Sequence, residues 1–277
     1  MPFDDRLKNT QTPHRVYALC RLVQYKRLKK DELQRYLFPP TLNKNDDVFR
    51  NVYSLAKDNL IQEDPDGIIK LILTEEDIKS PEAFRRAIAR KVFSDHQLTF
   101  SRFTAWFINR GAQIYREKPP ELVASFDKEI NVNKDINMYN ETNINGWRTW
   151  VSFLGLGFSH NGIVVPNATV RLEDVLLNDN QLQRNKPIPF KDFMSWLSVQ
   201  CPELDYGVLS RSHMGQASRR EQHLSLTLSA GLRGLHDNGK IQLKYVRDAQ
   251  DIWHLSAAHT HEINGPVSEI MIRRWQA

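Results

Sequence analysis

DDVFRNVYSLAKDNLIQEDPDGIIKLIL, residues 46–73, is the stretch on which the fold turns. Val48, Val52, Leu55 and Ala56 recur at helical spacing, while Arg50, Ser54 and Lys57 fall on the opposite face. Asp58-Asn59 is a helix stop. Residues 60–63 (LIQE) and 68–71 (IIKL) then flank Asp64-Pro65-Asp66-Gly67, whose proline and glycine suit a tight turn between paired strands. The stretch therefore predicts one amphipathic helix closed by a β-hairpin.

Upstream, Pro13 opens a first helix, HRVYALCRLVQYK, with Val16, Leu19, Cys20 and Val23 on a core-facing stripe. A break near Arg27-Leu28 leads to KKDELQRYL, a short helix with Leu33 and Leu37 inward, ended by Pro39-Pro40. Helix, helix, helix, hairpin over residues 13–79 resembles a winged helix-turn-helix DNA-binding domain, whose third helix is the one offered to DNA. Residues 1–12 are polar and read as a flexible N-terminus, mobile or lightly docked.

Downstream, Ser80-Pro81-Glu82 marks the start of PEAFRRAIARKVF, made basic by Arg85, Arg86, Arg90 and Lys91. Those four either track a phosphate backbone or form a solvated exterior, the commoner role for such a face. Residues 97–115 read as a buried helix through Leu98, Phe103, Trp106 and Phe107, and 80–118 together as a helical connector. After Pro119-Pro120, residues 121–130 read as helix, the asparagine-rich 131–145 as turns, and 147–154 as helix again. LGLGFSHNGIVVPN follows as strand, Asn-Gly turn, strand. Residues 119–178, closed by the helix ATVRLEDVLL, thus form a helical middle domain that allows a degenerate winged unit. Residues 179–189 read as a linker.

In the last region, 190–277, residues 190–200 form a helix with Phe193, Trp196 and Leu197 inward. Residues 219–236 place Leu224, Leu228, Leu232 and Leu235 on one stripe, with Arg219, Gln222, Ser229 and Arg233 opposite. Asp237-Asn238-Gly239 stops that helix, and residues 240–245 and 252–255 bracket a turn at 247–251, predicting a second helix-plus-hairpin. The expected fold class is mainly α with small β-hairpins (α+β): tandem winged-helix domains joined by a helical middle region.

The net charge of +5 and pI near 9.1 permit an anionic partner without requiring one. Two cysteines, Cys20 and Cys201, lie far apart and read as reduced, buried thiols. No apolar run reaches membrane-spanning length and the first residues lack a signal-peptide core, so a cytoplasmic protein is expected.

Enzymatic signals are thin. Asp66, Asp77 and Lys79 carry the letters of a nuclease PD…DxK set, but Asp66 belongs to a turn and Asp77 precedes a helix. His254, His259, His261 and Glu262 cluster without a fourth partner elsewhere, so chance grouping on a loop outweighs a zinc site. Phosphate-cradling glycine loops, a GxSxG elbow and HExxH are absent. No catalytic residue, metal or cofactor is expected. Trp106, Trp147, Trp150, Trp196 and Trp253 sit among aliphatic neighbours and read as core.

The candidate DNA-binding residues are Arg50, Asn51, Ser54 and Lys57 on the first reading helix and Arg219, Arg220, Gln222, Ser229 and Arg233 on the second. Lys70, Lys240, Lys244 and Arg247 join them from the wings. Arginine forks onto guanine and asparagine or glutamine onto adenine, while lysine and serine mostly reach phosphate. The competing interpretation is a set of solvated helix faces, since Asp46, Asp47 and Asp58 dilute the field of the first helix.

Over its length, with RVYALCRLVQYKRLKKDELQRYLFPP at the front, GWRTWVSFLGLGF in the middle and a second winged element at the end, the chain resembles the DpdG family. That family belongs to bacterial gene clusters that place 7-deazaguanine derivatives in DNA and restrict foreign DNA. The resemblance implies a non-catalytic, DNA-associated subunit beside helicase, nuclease or base-modifying partners in anti-phage defence. Double-stranded DNA and other subunits of a complex are the expected partners, and no membrane. Two alternatives stand beside it: a protein-docking scaffold that uses Phe49 and Tyr53 as exposed apolar contacts, and a transcriptional regulator, for which no dimerisation seam is evident.

Overall fold

The computed structural model describes residues 7–39, 41, 46–130, 139–214, 221–258 and 261–275. The first unit follows the sequence closely: α1 (Pro13–Tyr25), α2 (Lys30–Leu37), α3 (Asp47–Ala56), β1 (Ile61–Glu63) and β2 (Ile69–Leu71). Gln62 faces Lys70 in the antiparallel register of β1 and β2. The turn between them is built as its residues require: Gly67 takes φ +78° and the Asp64 carboxylate accepts the Asp66 and Ile68 N–H groups. The break between α1 and α2 has a use that spacing could not reveal. The Ile69 N–H donates to the Leu28 carbonyl at 2.9 Å and Lys29 bridges Ile68, so one residue serves as a third strand beside β2.

α4 (Glu75–Ile78), α5 (Pro81–Ser94), α6 (Thr99–Asn109) and a 3-10 turn (Gly111–Arg116) lead into α7 (Pro119–Glu129), α8 (Glu141–Phe153), β3 (Gly157–His160) and β4 (Ile163–Pro166). The asparagine-rich run is partly helix, since Asn140 caps α8 by accepting the Asn143 N–H while Asn143 accepts its own. Residues 131–138 lie outside the described residues. β3 and β4 meet at Asn161-Gly162, both at positive φ, as an Asn-Gly hairpin turn demands. The centre of the molecule is aromatic. Phe103 meets Trp147 edge-on at 4.9 Å, Phe126 at 5.1 Å and Trp106 at 5.5 Å, all of them buried. Trp253 is core too, against Phe190 and Tyr206.

The last unit comprises α9 (Thr169–Leu177), β5 (Pro187–Pro189), α10 (Phe190–Gln200), α11 (Val208–Ser212), α12 (Leu226–Asp237), β6 (Ile241–Lys244), β7 (Trp253–His254), β8 (Pro266–Val267) and β9 (Glu269–Ile272). Two expectations are corrected here. The stretch expected to be a linker ends in β5, an edge strand of a three-stranded sheet in the order β5-β9-β6. Prolines at 187 and 189 are tolerated there because an edge strand leaves half its N–H groups unpaired anyway, while Ile188 is buried. The predicted hairpin of residues 240–245 with 252–255 does not form: β6 pairs with β9, and β7 with β8. With α11 and the β7-β8 pair set aside as insertions, the order is helix, strand, helix, helix, strand, strand, with the first strand beside the last, as in a winged helix. The first unit has the same order, its Lys29 bridge standing where β5 stands. No helix among the described residues is long and apolar enough to cross a membrane.

Of the N-terminal residues, 7–12 are docked. Leu7 is fully buried, its carbonyl accepts from Asn143 Nδ2 at 2.9 Å, and the Gln11 carbonyl accepts from Trp150 Nε1 at 2.6 Å.

Candidate nucleic-acid interface

α3 owes its amphipathic form to Phe49, Val52, Tyr53, Leu55 and Ala56, all buried, while Val48 lies only half-buried. Phe49 and Tyr53 pack on each other at 5.6 Å and Phe49 on Phe38, so the apolar docking face that sequence allowed is absent from this helix. What remains outside is a polar ridge. Arg50, Ser54 and the C-cap residue Lys57 are exposed at near-helical spacing. Arg50 meets Asp47 at 3.1 Å, with both side chains more than half exposed. Such a pair is worth about 0–1 kcal/mol, so a phosphate can displace the carboxylate.

Asn51 stands apart from that ridge. Its Oδ1 accepts from Lys8 Nζ at 2.8 Å, its Nδ2 donates to Thr10 Oγ1 at 3.1 Å, and its carbonyl accepts from Gln11 Nε2 at 2.9 Å. The side chain expected at a base edge is held by the N-terminal segment. On the hairpin, Lys70 is exposed and paired with Asp64 at 2.9 Å; that hydrogen bond, with two backbone N–H groups, holds the Asp64 carboxyl below its usual range.

The N-terminal unit adds cations that helical spacing does not single out. Lys26, Arg27, Lys29 and Lys30 are exposed between α1 and α2, and Lys30 Nζ lies 5.0 Å over the Tyr53 ring of α3. The run KRLKK is plain in the sequence, but there it signals only a helix break. A basic run has no period, and its place beside α3 is a tertiary fact.

The second predicted ridge does not assemble. α12 begins at Leu226, capped by Ser225, not near residue 219. Gln222 lies ahead of it in a turn at φ +60°, its N–H donating to the Tyr206 hydroxyl. Ser229 and Arg233 are buried: Ser229 Oγ accepts the Ser256 N–H, and the Arg233 guanidinium donates to the Ile263 and Ser256 carbonyls at 2.9 and 2.8 Å. α12 is thus enclosed by α9 on one side and by the loop after β7 on the other. Lys240 is paired with Glu173, and Lys244 and Arg247 are exposed at the end of β6 and in the loop beyond. Arg219 and Arg220 lie outside the described residues.

The weak enzymatic letters fall apart in space. Asp77 closes the capping box of α4 with Thr74 and pairs with Arg90, while Lys79 pairs with Glu76. His261 meets Asp237, and His254 stacks on His223 at 4.7 Å. His259 lies outside the described residues. Among the described residues no group of three His, Cys, Asp or Glu is placed to hold a metal ion.

A mainly helical chain with small antiparallel hairpins, a three-stranded sheet in winged-helix order and a polar ridge on an exposed third helix defines an α+β protein of the winged-helix class. A family model described as DpdG-like matches residues 7–249, and the chain belongs to that family. Membership ties it to 7-deazaguanine DNA modification and restriction, in a family that is non-catalytic and associated with DNA and protein complexes. No curated protein and no solved structure matches the chain.

Proposed function

We propose that this chain is a DNA-binding adaptor subunit of a 7-deazaguanine modification and restriction complex. In this reading it holds duplex DNA through the outer ridge of α3 and places partner subunits, such as a helicase or nuclease, on it. The observation that carries the reading is the ridge itself: Arg50, Ser54 and Lys57 stand in solvent on the third helix of a winged unit. Lys70 flanks them from the hairpin, and Lys29 and Lys30 from the start of α2. Arg50 is the residue with the reach and fork to read a base edge, and the lysines are suited to phosphate. Residues 13–79 form the DNA-holding unit in this organisation. Residues 80–118 connect, 119–178 make a middle body, and the last winged unit begins at α9 rather than at residue 190, because β5 and α9 complete its order. With α12 enclosed, the C-terminal unit serves protein contacts or wing contacts through Lys244 and Arg247.

Anisotropy of a labelled duplex tests the assignment. Replacing both Arg50 and Lys57 by alanine should weaken binding roughly tenfold or more, and the salt slope should flatten by about 0.9 for each phosphate no longer neutralised. Unchanged affinity and slope in the double variant would remove α3 from the interface.

A further inference from the structure

A groove lies far along the chain from α3, between α5, α9 and the segment from α10 to α11. It is an open groove of about 1140 Å³. Arg86, Arg90, Arg171 and Arg211 line it against Asp174 and Asp179. A second groove of about 650 Å³ shares Asp179 and Asn180 with the first and is lined by Arg184, Arg273 and Arg274. Arg86, Arg90 and Arg171 are paired with Asp174, Asp77 and Glu203, which leaves the exposed Arg211, Arg273 and Arg274 for a ligand. Asp174 is taken by Arg85 in a fork of 2.6 and 2.9 Å and also lies 3.7 Å from Arg86, and Asp179 accepts from the Trp196 indole and two backbone N–H groups.

Two residues that line the smaller groove each carry an enclosed donor. Arg184 Nη1 and Trp275 Nε1 have no hydrogen-bond partner among the described residues, although both residues line the space. The Arg184 guanidinium lies 5.6 Å over the Trp275 ring. In the larger groove, Val199 and Val208 are 74% and 48% exposed and Tyr206 lies beneath Arg211. Arginines interleaved with exposed apolar and aromatic side chains in a concave track suit a strand whose bases are free, since a duplex keeps its base faces stacked inside.

We propose that the two grooves form one channel that binds a single-stranded nucleic acid. Its phosphates lie on Arg211, Arg273 and Arg274, and its bases rest on Val199 and Trp275. The proposal is independent of the α3 reading.

The test compares labelled oligo(dT), oligo(U) and a duplex on three full-length proteins: wild type, Arg211→Glu with Arg273→Glu, and Arg50→Glu with Lys57→Glu. All four altered side chains are exposed, and circular dichroism checks that each variant is folded. The channel variant should lose about tenfold or more in affinity for a single strand while holding the duplex within about twofold. The α3 variant should leave the single strand untouched; its effect on the duplex judges the other assignment separately. Binding of either oligonucleotide with this pattern supports the channel, and a preference between them names the sugar. Absence of single-strand binding, or single-strand affinity indifferent to Arg211→Glu with Arg273→Glu, overturns it.

Discussion

His213 is buried where α11 meets α6, and its ring is engaged on both edges. Arg102 lies 3.1 Å from Nε2, and a guanidinium only donates, so Nε2 is the acceptor and the proton sits on Nδ1, 2.9 Å from the Leu209 carbonyl. Burial holds the His213 pKa below its ordinary value against a smaller upward pull from that carbonyl, and the charges of Arg102 and His96 add lesser downward contributions. A depressed folded pKa means that the unfolded chain binds the extra proton more readily. Stability from this site is therefore complete above about pH 6.5 and lost as pH falls through the folded value. The melting temperature should drop between neutral pH and pH about 5, and His213→Gln, which keeps an acceptor for Arg102, should make that drop shallower. His236, depressed chiefly by burial, accounts for part of the remaining slope. An identical slope in the variant would place the titration elsewhere. The two thiols give a second residue-level outcome. Burial pushes Cys20 up to about 12 and Cys201 upward as well, and both are fully buried. Neither should react with Ellman's reagent at mildly alkaline pH until the chain is unfolded. Reaction of either in the native protein would contradict their placement.

Between elements, the tightest approach is that of α12 on α9. A Cβ built on Gly231 would stand 2.8 Å from the Ala168 carbonyl carbon and 3.0 Å from its Cβ, whereas one on Gly234 would meet the rotatable Thr169 Oγ1. Alanine in an open helix position gains about 1 kcal/mol over glycine, but overpacking costs about 1–3 kcal/mol. Gly231→Ala should therefore destabilise, and more than Gly234→Ala, as urea midpoints at constant m-value will show. The reverse order would mean that the helices part more easily than this packing implies. The same helix shows where sequence reading ends. Its leucine stripe is legible, but Ser229 and Arg233 look the same in sequence whether solvated or, as here, bonded to the backbone of a distant loop. The hairpin of β1 and β2 is legible because Pro65 and Gly67 fix its turn locally. The partner of β6 is not, because β9 lies beyond the nearest strand-like run, and period alone cannot choose among strands. Likewise the α3 ridge follows from helical spacing, whereas the cations before α2 and the hold on Asn51 depend on chain folded back from elsewhere.

At the scale of the whole molecule, residues 7–12 act as a strap between two bodies. On one side Lys8, Thr10 and Gln11 hold Asn51 of α3. On the other, Leu7 and Gln11 are held by Asn143 and Trp150 of α8, and Leu7 fits only because residue 146 is glycine: a Cβ there would stand 2.9 Å from the Leu7 Cβ. α1 also packs directly on α8, with His14 meeting Phe153, so the strap tunes a contact that already exists. Its effect reaches α3 through Asn51. Gly146→Val should expel Leu7, lower stability by about 1–3 kcal/mol through overpacking, and weaken duplex binding although the altered residue lies on a different helix from the ridge. The comparison that isolates the strap is Asn51→Ala, which cuts the α3 end without crowding α8. If the strap sets the angle of α3, both variants should weaken the duplex by similar factors while differing in stability. If Asn51→Ala weakens the duplex and Gly146→Val does not, Asn51 touches DNA itself and the strap is only a tether.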